Sequence, residues 1–238
     1  MIQTMANHAS TTALIDPAAL DNGDTLLQRE PFSFLIGRNQ LPETARSALR
    51  EDFPQYRGAG FFPYDDADCG ASIRQLVGEL TAPAFADAVG DKLGIDNLGQ
   101  YPTLVTLCRA LNMRHGTIHT DSKSKVATVL VYLNDSWPDT SDGCLRLLRR
   151  IDSIDDLLVP EVKPLYGHLV AFKRADNSFH GHLPFAGERR VIQIAWLTSE
   201  KEKLRKTQRG RVSRLLKWLL GKLDQRYGAK RKRDAAHL

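Results

Sequence analysis

The spacing of apolar residues changes near Tyr101. Before it, two stretches repeat at helical intervals. PETARSALREDF (42–53) puts Ala45, Ala48 and Leu49 on one face, with Pro42 in its first turn, and predicts a helix. ASIRQLVGELTAPAFADAVGDKLG (71–94) predicts a longer helix with a kink at Pro83. FSFLIG (32–37) predicts a strand, and residues 1–23 a polar, loosely ordered lead-in. Beyond Tyr101 the rhythm becomes that of strands: PTLVTLCRALN, GTIHTD, KVATVLVYLN, GCLRLL, HLVAFK and RVIQIAWL. Turn signals separate them, in DSWPDTSDG, VPEVKPLYG, RADNS and PFAGE. So many short strands over about a hundred residues predict a sandwich or barrel, with the preceding helices laid on one sheet. The fold class expected is mainly β with flanking helices (α+β). The expected divisions are 1–99 for supporting elements, 100–199 for the β core and 200–238 for an appended arm, where helical periodicity returns.

Composition narrows this little. The chain has 238 residues, 42% hydrophobic and 26% charged, which is ordinary globular material. No apolar run approaches the roughly 18–20 residues that span a bilayer. Cys69, Cys108 and Cys144 are widely spaced and form no CxxC, as expected of reduced thiols in a cytosolic protein. The first twenty residues lack the basic and apolar regions of a secretory signal.

Charge changes the picture more. The net charge is +5, but residues 200–238 hold 14 Lys/Arg against 4 Asp/Glu, while the rest holds 19 against 24. The body is mildly acidic and the arm alone makes the chain basic.

His119 and Asp121 lie two apart in an expected strand, so both side chains point to one face. An imidazole and a carboxylate placed so can share one metal ion. His180 stands just before another strand. Two His and one carboxylate from separate strands form the facial triad of non-haem Fe(II) sites, which leaves the opposite face open. Arg190 follows His180 by ten residues. A guanidinium there suits the far carboxylate of a dicarboxylic acid that chelates the iron. Two choices have close competitors. His182 shares the face of His180 on a regular strand. Arg189 competes with Arg190, and parity favours Arg190: it shares a face with Ile192, Ile194 and Trp196, whereas Arg189 falls with Val191, Gln193 and Ala195. The first set is the more apolar and suits a barrel interior. His115 and His168 read as structural or exposed, Trp137 as packing beneath a turn. Arg109 and Asn112, on the strand leading to the metal, are weaker candidates for facing substrate.

With these residues in order, residues 100–198 resemble the Fe(II)/2-oxoglutarate-dependent dioxygenases, in their prolyl 4-hydroxylase-like branch. The family's HxD matches His119 and Asp121, its distal histidine His180, its 2-oxoglutarate-anchoring basic residue Arg190. VLVYLNDSW resembles the family's strand and turn in which the tyrosine before Leu-Asn, here Tyr132, contacts the 2-oxoglutarate carboxylate. SDGCLRLL resembles its Gly-Gly-x-Leu-Arg strand, with Cys144 in place of the second glycine. PLYGHLVAF and Pro184, four after His180, fit as well. The resemblance implies a double-stranded β-helix (jelly-roll, cupin-like) core. It implies Fe(II) as metal, held by His119, Asp121 and His180, and admits ascorbate as a further cofactor. Dioxygen and 2-oxoglutarate are the implied co-substrates and hydroxylation with release of succinate and CO2 the implied reaction. The substrate stays open between a prolyl residue and a cell-envelope saccharide. A catalytically inactive binding module on the same barrel is the alternative.

The arm supplies a second theme. In RVSRLLKWLLGKLDQRY (211–227), Val212, Leu215, Leu216, Leu219, Leu223 and Tyr227 form an apolar stripe beside Arg211, Arg214, Lys217, Lys222 and Arg226. Docking on its own domain or a homodimer partner is the first expectation, a membrane surface the second, nucleic acid the last, because the body is acidic. The expected location is cytoplasmic, with peripheral membrane contact under the second reading. In a liposome co-sedimentation, a 1–199 truncation should lose binding that the full chain shows; equal partitioning removes the membrane expectation.

Overall fold

The computed structural model describes residues 12–210. Its strands are β1 (Thr25–Gln28), β2 (Phe34–Gly37), β3 (Phe61–Pro63), β4 (Thr103–Leu111), β5 (Lys125–Tyr132), β6 (Arg146–Leu148), β7 (Leu169–Lys173), β8 (Phe179–Gly181) and β9 (Gly187–Leu197). The helices are α1 (Arg46–Glu51), α2 (Ala71–Leu80) and α3 (Pro83–Leu93), and 200–210 is helical as well. Seven strands form one antiparallel sheet in the order β1-β2-β7-β5-β9-β4-β3. β6 and β8 form a second, which single bridges widen at His119–His180, Leu145–Val162 and Leu148–Leu157.

The large sheet has two different faces, because successive side chains alternate. On one, Leu35, Val129, Val131, Ile192, Ile194 and Trp196 pack against Ile73, Leu76 and Leu80 of α2 and Phe85, Val89 and Leu93 of α3. On the other, Phe34, Leu130, Tyr132, Phe172 and Val191 meet Leu145, Leu147 and Val162 from the small sheet's side. The helices therefore seal one face, and the second face looks into the space between the sheets.

Several elements differ from expectation for local reasons. The 71–94 segment is two helices, not one with a kink. Ala82 precedes a proline and is extended (φ −63°, ψ 141°), and Pro83 begins α3, where its missing N–H is not needed. α3 then ends on Gly94 at φ 67°, a left-handed cap. The 42–53 helix begins as a 3-10 turn over Glu43–Ala45, with Pro42 just outside it. GTIHTD is not a regular strand, since Gly116 sits at φ 111° and one bridge at His119 is its only ladder contact. β1, β3 and β8 have three or four residues each, too few for their periodicity to register. The lead-in is docked from residue 14: the amides of Leu14 and Ile15 donate to the Glu79 carboxylate at 2.7 and 2.9 Å, and Ile15 and Leu20 are buried.

The helical expectation for the arm is met over 200–210, and the basic amphipathic stretch 211–227 lies outside the described residues. Among the described residues no helix is long and apolar enough to cross a membrane. Trp196 is fully buried where β9 meets the helices. Trp196→Ala should lower unfolding free energy by about 3–5 kcal/mol in denaturant titration.

Candidate metal centre

His119 and Asp121 lie on the extended stretch between β4 and β5, and His180 is the middle residue of β8. His119 and His180 exchange both backbone hydrogen bonds, at 3.0 Å each, which brings their rings to 4.4 Å between centroids. Each ring has its Nδ1 on a carbonyl oxygen, of Thr117 at 2.9 Å and of Ser178 at 3.0 Å. An Nδ1–H that donates there leaves Nε2 as the free lone pair. One ligand atom from each of His119, Asp121 and His180 lies within 4.8 Å of the others. Two imidazoles and a carboxylate in this arrangement fit Fe(II), with positions left for further ligands.

The electrostatics suit a cation. Burial pushes the Asp121 carboxyl up, but Lys125, His180 and hydrogen bonds from Lys125 and Thr128 outweigh it and hold the group below its usual value. Thr128 Oγ1 donates to one carboxylate oxygen at 2.5 Å and Lys125 Nζ to the other at 2.7 Å. Burial drives the His180 imidazole down to about 4, against the opposing pull of Asp121. At neutral pH the site therefore presents an ionised carboxylate and a neutral buried imidazole, the forms a metal needs.

The three groups face a cavity of about 410 Å³. Lys125, Thr128, Arg189 and Gln193 add polar lining, and Leu130, Leu145 and Phe172 an apolar wall. A larger groove of about 570 Å³ runs beside β1 and residues 159–168 and contains none of these groups.

Arg189, not Arg190, enters this cavity. Arg189 is 3% exposed, donates from Nε to Gly143 O at 2.8 Å and from an Nη to the Tyr132 hydroxyl at 3.3 Å, and lies over the Tyr132 ring. Arg190 turns to the helix side, where it pairs with Glu188 at 2.5 Å and reaches Arg50 O. The faces of β9 are the reverse of those expected from parity. The more apolar set, Ile192, Ile194 and Trp196, belongs to the helix-covered core, whereas Gln193 lines the cavity. A chamber that holds polar groups has the more polar wall, and Gln193 beside Arg189 is the sequence signal that marks it. Arg189 has neutral hydrogen-bond partners, and a buried guanidinium so placed calls for an anion.

Tyr132 is fully buried at the end of β5, opposite Val191 of β9. The residues of the motif around it act as braces. Asn134 accepts from Arg190 N at 3.1 Å and donates to Pro164 O at 2.6 Å, which joins the start of β9 to the 164 loop. Gly143, at φ 73°, presents its carbonyl to Arg189 and is closely covered by Trp137 and Phe185. Trp137 donates to Asp142 O and packs at a tilt against Phe185, a packing role.

Of the remaining histidines, His182 and His115 line the cavity beyond the ligand set, and His168 lies in the larger groove. Arg109 and Asn112 line a separate depression with Glu188. Sequence reasoning overlooked Thr128 and Lys125. Both act through Asp121, several residues away, and no spacing rule announces such contacts.

Residues 107–198 match the model of the 2OG-Fe(II) oxygenase superfamily. No curated protein matches the chain by sequence. In fold it is similar to a prolyl-4-hydroxylase of Pseudomonas putida, with TM-score 0.50 and 19% identity over 70% of this chain and 92% of that one. It is similar also to a prolyl hydroxylase of Trichoplax adhaerens solved with a hypoxia inducible factor oxygen degradation domain peptide fragment (TM-score 0.49, 18% identity, 72% and 86% covered). A third is the viral collagen prolyl hydroxylase of Paramecium Bursaria Chlorella virus-1, solved with 2OG (TM-score 0.48, 16% identity, 69% and 96% covered). The chain thus has the expected double-stranded β-helix core, with helices on its outer face.

Burial sets a pH dependence for the metal-free protein. His180 and His182 are both driven from 6.5 to about 4, His182 by burial first and then by Arg189. Between those values the unfolded chain binds more protons than the folded one, so stability should rise with pH from about 4 to 6.5 and then level off. Thermal melts across this range check it, and His182→Asn should make the slope shallower, with the remainder owed to His180 and the half-buried His168.

Proposed function

We propose that this chain, whose residues 107–198 match the model of the 2OG-Fe(II) oxygenase superfamily, is an active hydroxylase of that superfamily that takes one oxygen atom of dioxygen into a substrate C–H bond. The observation that carries the reading is the convergence of His119, Asp121 and His180 on one cavity with the buried Arg189–Tyr132 pair. Fe(II) and 2-oxoglutarate supply the oxidising chemistry when bound: the second oxygen atom of dioxygen ends in succinate as 2-oxoglutarate loses CO2.

The protein's own contribution is placement. His119, Asp121 and His180 would hold the metal. Thr128 fixes the Asp121 carboxylate, and the carbonyls of Thr117 and Ser178 fix the two rings. Arg189 receives the far carboxylate of 2-oxoglutarate, steadied by the Tyr132 hydroxyl and Gly143 O. The guanidinium's fork would fix the orientation of that carboxylate. Leu130, Leu145 and Phe172 limit water on the apolar side. The complete ligand set with its anion receptor favours turnover over a role confined to binding. The structural neighbours share the fold at identities below 20%, so their prolyl substrates do not transfer to this chain.

Anaerobic mixing with Fe(II) and 2-oxoglutarate should produce the weak metal-to-2-oxoglutarate absorption band. His119→Ala and Asp121→Ala should abolish it and also abolish succinate release. Arg189→Met should raise the 2-oxoglutarate dissociation constant at least about tenfold, the loss of one charge-assisted pair. Arg190→Met should leave it within about twofold, because Arg190 serves a partly exposed ion pair on the other face. A native chain that shows no band, or an Arg190→Met variant with the larger defect, overturns the assignment.

A further inference from the structure

Lys125 faces the cavity against the rule of alternation. Along β5, Ala127, Val129 and Val131 belong to the helix-covered core, while Thr128, Leu130 and Tyr132 look toward the cavity. Strict alternation would send Lys125 outward with Ala127. Instead the β5–β9 register steps from Lys125 opposite Leu197 to Ala127 opposite Trp196, two residues against one. This is a β-bulge, a device that re-aims a side chain. Val126 takes up the extra position on the helix side, and the Lys125 ammonium enters the cavity on Asp121. Its side chain is 13% exposed.

Asp121 cannot remain its sole answer. Among the described residues Asp121 is the one carboxylate that lines the cavity. Once the site is loaded as proposed above, the two charges of iron are met by Asp121 and the keto-acid carboxylate, and Arg189 by the far carboxylate. The Lys125 ammonium then stands beside a dication with its carboxylate shared. A second ammonium is close. Lys206, from the 200–210 helix, donates to Ser122 Oγ at 2.9 Å, one residue from Asp121. Burial and then Lys125 hold it below its usual value. Of the acids nearby, Glu202 pairs with Arg205 and only partly offsets Lys206, and Asp176 pairs with Arg174. A half-enclosed chamber with surplus positive charge selects a ligand of the opposite sign.

We propose that the substrate carries a carboxylate or phosphate group, and that Lys125, turned inward by the β5 bulge, receives it beside the metal while Lys206 adds attraction at the entrance. Lys125 is thereby a specificity-determining residue that selects acidic substrates. This rests on the iron and 2-oxoglutarate reading of the same site.

The test uses the full chain loaded anaerobically with Fe(II) and 2-oxoglutarate, with glycolate and inorganic phosphate as probes and the absorption band as readout. One or both anions should shift the band saturably and more weakly at high salt, and a neutral probe, ethylene glycol, should not. Lys125→Gln should weaken the effect at least about tenfold and Lys125→Arg should retain it; Lys206→Gln should weaken it about two- to threefold. The dissociation constants of Fe(II) and 2-oxoglutarate are measured in every variant. If Lys125→Gln weakens either as much as it weakens the anion, Lys125 is only a positioning residue or a 2-oxoglutarate contact, and the proposal fails. A band that no anion perturbs, or an anion effect that survives Lys125→Gln, removes the substrate assignment and leaves the iron reading intact. A native chain without a band removes both.

Discussion

Two-residue alternation along β5 and β9 is the constraint on which the rest of this structure depends. One strand pair must serve two environments. Ala127, Val129 and Val131, with Ile192, Ile194 and Trp196, close the core under α2 and α3. Thr128, Leu130 and Tyr132, with Arg189, Val191 and Gln193, form the wall between the sheets. A slip of one residue in register would exchange the two sets. It would put Gln193 under the helices and a tryptophan in the chamber. Stability and chemistry are therefore secured by the same hydrogen-bonded ladder.

The metal centre shows how little local structure such a site needs once that wall exists. His119 and Asp121 come from a segment with one ladder contact, and His180 from a strand of three residues. Reciprocal backbone bonds tie these weak elements together, and carbonyls orient both rings. Burial does the rest, keeping His180 neutral while Thr128 and Lys125 keep Asp121 ionised. The same low-dielectric surroundings make every further charge consequential. That is why a buried arginine with neutral partners and a lysine delivered by a bulge carry so much of the functional reading.

The convergence of His119, Asp121 and His180 was legible because its chemistry is local. HxD places two donors on one side of an extended chain whether or not the chain joins a regular ladder. The long strands β4, β5, β7 and β9 were legible because their alternation runs for five residues or more. The break at Pro83 was placed correctly but read as a kink, because apolar spacing continues on both sides of it and only Ala82 departs from the helix. β1, β3 and β8 fell below the length at which a pattern separates from chance.

The choice between Arg189 and Arg190 marks the boundary between the two kinds of information. By itself the sequence determined that one of the pair points in and the other out, that two His and an Asp share a site, and that basic charge gathers in the arm. These follow from chain geometry and composition. Which face of β9 became the chamber was decided only when α2 and α3 covered the other one. Hydrophobic pattern measures how apolar a face is, and both faces here are buried. What lies across from each face, a helix or a reaction chamber, is a property of the assembled fold. The bulge that turns Lys125 inward is of the same kind, since it exists only as a mismatch between two paired strands.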